Sequence, residues 1–419
     1  MKNPAFLIIC VMIAAAPLFR GSVHAWAQTV IQAMVALGGI VLVFEAMRSR
    51  GGRKRSSRSS SLKGFATREL LVYVAAPCAA LGGWSAVMSP HPALAFQGLL
   101  MLMTYLGFFF LVAVSVRTRE EQRALVWVIA GTAGFLCVVG LLELYDVLAF
   151  AWWDYTPEVG ASYHADSLTG AYVNRNHMAG FLEMAIPVML VMFLTRSRPV
   201  EWKIGLICLA LFLVVCQALT LSRGGWAGTA GALVFMAVVL LLKKGFAHKR
   251  LVGYLLAGIV VTAAIVMAST PVVQRIMTLT QGDMEDNIAH RLNLWEGTRH
   301  MIADNPAAGT GPGTFETAYP PYQQPGYTVL ARYAHNDYLQ FTADTGILFI
   351  PLMLWLLYLF FKTGFKKFQS RSRQTSGIAL GCMAAAIAIL IHSYSDGNLH
   401  IPANALLFTT LSALVLKPE

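Results

Sequence analysis

Apolar runs of about 20 residues recur along the whole chain, separated by short polar stretches. A helix needs roughly 20 apolar residues to cross the hydrocarbon core of a bilayer, so each run reads as a membrane helix. Twelve runs qualify, at roughly 5–19, 27–47, 70–88, 94–116, 124–148, 177–195, 204–221, 226–242, 251–269, 338–361, 377–394 and 400–416. The pattern predicts an all-α polytopic membrane protein. The first run is short, with a thin basic start and the small-residue patch "GSVHA" after it. It reads as an uncleaved span, with a cleaved signal peptide as the competing reading.

The polar interruptions divide the chain into three regions. Residues 1–269 hold nine helices and a Ser/Arg-rich loop at 48–69. Residues 270–337 form one large loop, and 338–419 hold three more helices. A shorter loop covers 149–176. Inside the large loop, "DNIAHRLNLWEGTRHMIADNP" places Ile288, Leu292, Trp295 and Ile302 at helical spacing. This predicts an amphipathic helix with Asp286 as N-cap and Pro306 as its stop. The following "AAGTGPGTF" reads as a flexible turn. It is no Walker-type phosphate loop, since no Gly-Lys-Ser/Thr follows.

Composition agrees with the pattern. The chain is 57% hydrophobic and 13% charged, where a soluble protein would carry roughly twice that charge. Its net charge of +11 invites a nucleic-acid reading, but the distribution excludes one. With twelve spans both termini share one side. Of the 32 lysines and arginines, only Arg20, Arg175, Arg223, Arg275, Arg291, Arg299 and Arg332 fall on the other. The positive-inside rule then makes the termini cytoplasmic and the large loop external. The basic 48–69 loop faces the cytoplasm and anionic lipid. All six cysteines lie in apolar runs and suit packing rather than disulfides.

The outer basic residues are all arginine. A guanidinium offers a planar fork of donors that matches phosphate oxygens and stays charged. Arg223 sits in "LTLSRGGWAG" with almost no loop around it. A charge at full bilayer depth costs on the order of 2.5–3.5 kcal/mol. Snorkelling is the bland explanation; Gly224 and Gly225 beside it open the backbone to a ligand. Helices entering from the outer face begin with "VNRNHMAG", "SRGGW" and "AHNDYL", and "SDGNLH" precedes the last one. Helix starts carry free N–H groups and partial positive charge. Together with arginines they would form an anion pocket at the membrane edge, suited to a lipid-linked phosphate or pyrophosphate. Taken singly, Asn176, Ser222 and Asp337 read as ordinary caps.

Among ten histidines, His335 stands out by position, at a helix start near arginines. A neutral imidazole there could accept a proton from a sugar hydroxyl. His24, His91 and His248 have no chemical company, and His177, His290, His300, His392 and His400 rank second. A pyrophosphate-linked sugar already carries a good leaving group, and arginines can stabilise its departing charge, so neither a metal nor another cofactor is expected. The acidic cluster Asp283, Glu285 and Asp286 reads as a solvated loop and helix cap. Glu143, Asp146, Glu183 and Asp344 fall near span ends by this count. Two of them paired at mid-depth would favour a lipid-linked sugar transporter.

"HN", nine residues, then Gly346 resembles the signature of bacterial O-antigen ligases and their polymerase relatives. "GAYVNRNHMAGFLEMAIPV", "LTLSRGGWAG" and "RLNLWEGTRHMIADNPAAGTGPGTF" are also similar to blocks of that superfamily. The likeness covers about 170 to 365. Phe349 departs from it, standing where a second small residue is usual. The resemblance implies a GT-C-like membrane glycosyltransferase that moves a glycan from undecaprenyl pyrophosphate to a lipid A-core sugar. The reaction would be inverting, metal-independent and on the periplasmic face of the bacterial inner membrane. It assigns Arg223 and Arg291 to the pyrophosphate and makes His335 the base or acceptor-orienting group. Asp396 matches an acidic position, and Arg175, Asn176, Arg299 and Asn336 are further substrate contacts. An O-antigen polymerase or a protein O-oligosaccharyltransferase is the alternative. The Arg-x10-Gly spacing common in polymerases fails here, with Ile302 and Thr310 at the glycine positions after Arg291 and Arg299.

Overall fold

The computed structural model describes residues 3–50, 68–147, 167–172, 174–195, 200–243, 283–325 and 331–418, with scattered helical positions between 250 and 261. Among these residues the chain is helical, without a strand. Seven helices are long and apolar enough to cross a membrane. They include α2 (Ala25–Arg50), α3 (Arg68–Met88), α4 (Pro92–Ser115), α5 (Arg119–Leu144), α8 (Arg223–Leu242), α11 (Phe349–Phe368) and α12 (Arg373–His392). Shorter apolar helices are α1 (Pro4–Ala15), α7 (Val200–Leu219) and α13 (Pro402–Leu416). Helix α6 (Arg175–Thr195) holds the predicted 177–195 run. The predicted run at 251–269 and most of the 149–176 and 48–69 loops lie outside the described residues. The chain is a multi-pass membrane protein.

Helices α6 and α12 form the centre, with α8 against both. Residues 177–191 of α6 are buried throughout, unlike α2 and α11, which face outward over most of their length. Lipid tails are as apolar as leucine, so close packing must hold such helices together, and small residues permit it. Helix α12 supplies Ala379, Gly381, Ala384, Ala385, Ala386 and Ala388, all buried. A Cβ on Gly381 would come within 3.1 Å of the Pro187 carbonyl of α6.

One predicted span is divided. The 338–361 run becomes a nine-residue helix α10 (Asp337–Thr345), a break at Gly346, and then α11. Asp337, Gln340, Thr342 and Asp344 are buried in α10. Such a helix is too short to span and too polar to face hydrocarbon. The break is built into the backbone: Gly346 has φ +83°, and a Cβ there would stand 2.7 Å from the Ala307 carbonyl.

The loop helix α9 runs Asp283–Asp304, so Asp286 lies inside it and is not its N-cap. The glycine-rich stretch after Pro306 is not a free turn. Thr310 and Gly311 donate backbone N–H groups to the Ala343 and Asp344 carbonyls at 3.0 and 2.9 Å. Gly313 N donates to Asp344 Oδ2 at 3.1 Å. Ser85 and Ser89 of the α3 region donate to the Asp344 and Thr310 carbonyls. Gly309, Gly311 and Gly313 all have positive φ, and the stretch is clamped between α10, α3 and α4.

At the opposite end of the bundle, lysines close helix C-termini. Lys367 Nζ donates to the Leu414 and Lys417 carbonyls, Lys417 Nζ to Val116 O, and Lys243 Nζ to Phe368 O. Cations at carbonyl-rich helix ends satisfy both the orphan acceptors and the macrodipole.

Candidate active site

Three helix starts and the last interhelical turn meet at the other end. In "VNRNHMAG" the cap of α6 is Asn174, whose side chain accepts from Asn176 N at 2.8 Å and whose carbonyl accepts from His177 and Met178 N. The expected cap, Asn176, is thereby free, and its amide donates to Asp396 Oδ2. In "AHNDYL" the cap of α10 is Asn336, which accepts from Leu339 N at 3.1 Å. Its side-chain oxygen is committed to the helix, although the sequence suggested a substrate contact. Asp337 is not the cap. It is buried and accepts from Ser393 Oγ, Leu399 N and His400 Nδ1. Ser222 caps α8 as expected, accepting from Gly225 N.

His335 lies one residue before this cap, with a left-handed φ of +48°. A non-glycine residue holds that conformation only where its surroundings impose it. Here Ala334 O accepts from Trp295 Nε1 of α9 at 3.1 Å, Ala334 N donates to Gln340 Oε1 at 2.9 Å, and Asp337 N donates to Ser393 O at 2.9 Å. The result aims His335 Nδ1 at Asp396 Oδ1, 3.0 Å away. The His335 side chain is 31% exposed and that of Asp396 only 1%. A buried carboxylate thus grips one edge of a partly open imidazole.

The electrostatics follow from the packing. Burial would raise the Asp396 carboxyl. The charge and hydrogen bond of His335, then the charges of His177 and Arg291, hold it well below the usual carboxylate range. Asp396 Oδ1 also accepts from Gly397 N at 2.8 Å. Nearby His290 is lowered, first by burial and then by the charges of His335 and Arg291. Arg291 and His335 therefore act in one local field. A proton on His335 Nδ1 would face the Asp396 carboxylate and leave Nε2 as the open edge of the ring.

The arginines separate into two groups. Arg175 opens α6, Arg223 opens α8, and each is half-buried beside the turn that carries Asp396. Helix α8 is pressed onto that turn, for a Cβ on Gly224 would lie 2.8 Å from Ser395 Oγ. By contrast Arg299 is exposed and paired with Glu296, and Arg332 is exposed beside Glu316. Arg275 lies outside the described residues.

Gly224 and Gly225 have a different role from the one expected. A Cβ on Gly224 would strike the His392 ring at 2.3 Å, and one on Gly225 would strike Ala179 at 2.6 Å. Their bareness admits neighbouring helices rather than a ligand. Glu183 is not near a span end. It lies well inside α6, fully buried, and its carboxylate meets His392 Nδ1 at 3.1 Å. Asp344 instead accepts from Gly313 N at 3.1 Å.

Residues 206–354 match the family model described as O-antigen ligase. This stretch, 149 of the 419 residues, is similar to the O-antigen ligase superfamily. The match supports a membrane glycosyltransferase of the O-antigen ligase/polymerase type. No curated protein matches the chain. The matched stretch carries Arg223, Arg291 and His335. Asn176 and Asp396 lie outside it, so the cluster joins residues of the matched stretch to partners from distant parts of the chain.

Two members of the cluster stand behind the leading candidates in the sequence. His177, of the second rank among the histidines, contributes to the field at Asp396. Trp295 has the spacing of a core position of an amphipathic helix, yet its indole N–H holds the Ala334 carbonyl just before His335.

Proposed function

We propose that this protein transfers a glycan from undecaprenyl pyrophosphate to a sugar hydroxyl of lipid A core at the periplasmic face of the inner membrane. The observation that carries the reading is the His335–Asp396 pair, open on the imidazole side and buried on the carboxylate side. In the proposed reaction the acceptor hydroxyl gives its proton to His335 Nε2. Its oxygen attacks the anomeric carbon from the face opposite the pyrophosphate. The anomeric C–O bond breaks, its electron pair goes to the bridging phosphate oxygen, and undecaprenyl pyrophosphate departs. The anomeric configuration inverts.

Arg223 and Arg291 stabilise the charge that develops on the leaving phosphate, in the place a metal takes in other transferases. Arg175 and the N–H groups at the starts of α6 and α8 add to this cradle. Asp396 and Asn176 act through His335 by fixing its tautomer and orientation.

Reconstitution tests the reading. Protein in liposomes is given undecaprenyl-pyrophosphate glycan with either lipid A core or a pilin-like protein. Glycosylated lipid A core is the expected product. Arg223→Ala, Arg291→Ala and His335→Ala should each abolish it while the protein still inserts. A modified pilin-like protein, or glycan polymerised on the carrier lipid, would replace the ligase reading with the corresponding relative. Full transfer by His335→Ala would remove the base.

A further inference from the structure

His392 and Glu183 form a fully buried pair that the proposed reaction does not use. The His392 side chain is 1% exposed and that of Glu183 0%. Nδ1 of His392 lies 3.2 and 3.1 Å from the two carboxylate oxygens. Replacing such a pair with apolar side chains is often neutral or stabilising, so its presence at the centre of a membrane bundle calls for another reason.

The surroundings supply one. The other ring nitrogen, Nε2, faces the hydroxyl of Ser222 at 3.5 Å, and Ser222 is the cap of α8, directly before Arg223. The backbone carbonyl of His392 accepts from Ser395 N at 2.9 Å and Asp396 N at 3.1 Å. One residue therefore touches the helix start that carries a phosphate-binding arginine and the turn that carries the carboxylate behind His335. Glu183 anchors the ring from α6, the helix that begins with Arg175 and Asn176. Helix α8 is bare where the pair crosses it. A Cβ on Gly224 would meet the His392 ring at 2.3 Å, and one on Gly228 would meet Glu183 Oε2 at 2.5 Å. Gly224 and Gly228 are one turn apart, on the same face.

We infer that His392, held by Glu183, is a positioning residue that sets the donor-binding start of α8 in register with the Asp396–His335 base. It touches neither substrate. With Nδ1–H directed at Glu183, Nε2 is free to accept from Ser222 O–H, and no proton need leave the relay during a turnover. This rests on the transferase reading above.

A double-mutant cycle tests it in the full-length reconstituted protein. His392→Asn keeps an N–H near Glu183 and removes the contact to Ser222. Ser222→Ala removes the same contact from the other side. Each should weaken binding of undecaprenyl pyrophosphate about tenfold and lower kcat, and the double variant should be no worse than the poorer single one. Glu183→Gln, which retains an acceptor for Nδ1–H, should stay within about threefold of wild type. Should His392→Asn fail to insert, the cycle is run with Glu183→Ala in its place and the same non-additivity is expected. Losses that multiply would overturn the inference. So would single variants that lower Tm while leaving Kd and kcat unchanged, since that is the behaviour of a purely structural pair. Wild-type protein that binds no undecaprenyl pyrophosphate would sink the transferase reading itself.

Discussion

Asp396 is a carboxylate with almost no exposure, yet it remains charged. Its two oxygens face His335, Asn176 and the Gly397 N–H, and an ionised carboxylate is at ease only with such a set of partners. As its folded value lies far below that of a free carboxyl, it favours folding above the free value, and this contribution fades as pH falls through the folded one. Around neutral pH the carboxylate is fully available to orient His335. Asp396→Asn should therefore insert normally but present an amide that no longer fixes the tautomer. A drop in kcat on the order of 10²–10⁴ is expected, read by transfer to lipid A core in liposomes. Arg299, exposed and engaged with Glu296, serves as the control: Arg299→Ala should change transfer by less than about threefold.

Helix α10 and the glycine-rich stretch form one device. Three positive-φ glycines let the stretch fold onto the carboxyl end of α10, and Gly346 lets α11 leave in a new direction. Gly311 has φ +113°, and a Cβ there would meet Ser89 Oγ at 2.4 Å. Gly311→Ala should destabilise by on the order of 1–3 kcal/mol, seen as a lower Tm in detergent. Asp344 sits at the junction. Burial, opposed by the His400 charge and the Gly313 N–H, pushes its carboxyl up from 3.8 to about 7. The folded state then holds a proton between these values that the unfolded state has lost. Stability is greatest below the unfolded value and falls as pH rises towards the folded one. Asp344→Asn should raise Tm relative to wild type at pH 8 and by clearly less at pH 5. An equal shift at both would show that the carboxyl does not titrate in this way.

At the scale of the whole molecule the two ends of the bundle differ in chemistry. One gathers lysines onto helix carbonyls, and the other gathers arginines and helix starts. The lysine end is expected to be cytoplasmic. In a cysteine-free background, Thr317→Cys should react with an impermeant thiol reagent in intact spheroplasts. Gln369→Cys should react only after permeabilisation, and the reverse pattern would invert the topology. Much of this arrangement was legible beforehand. Apolar runs of membrane length and skewed basic loops depend only on local composition, because the bilayer acts on each segment separately. The polar helix starts were visible for the same reason. The division of the 338–361 run was not, since it depends on Gly346 meeting Ala307, whose position is set by another part of the chain.

Sequence by itself determined which segments are helical and apolar, which loops carry arginine, and that His335 stands at a helix start. Tertiary structure alone decided which side chains share a proton or a carboxylate: Asn176 and Asp396 are 220 residues apart, Glu183 and His392 are 209. Hydrophobic period and loop charge act over a turn or a loop, so one strand of sequence records them. Hydrogen bonds act over about 3 Å, and only the packing of α6, α8, α10 and α12 brings their partners within that distance.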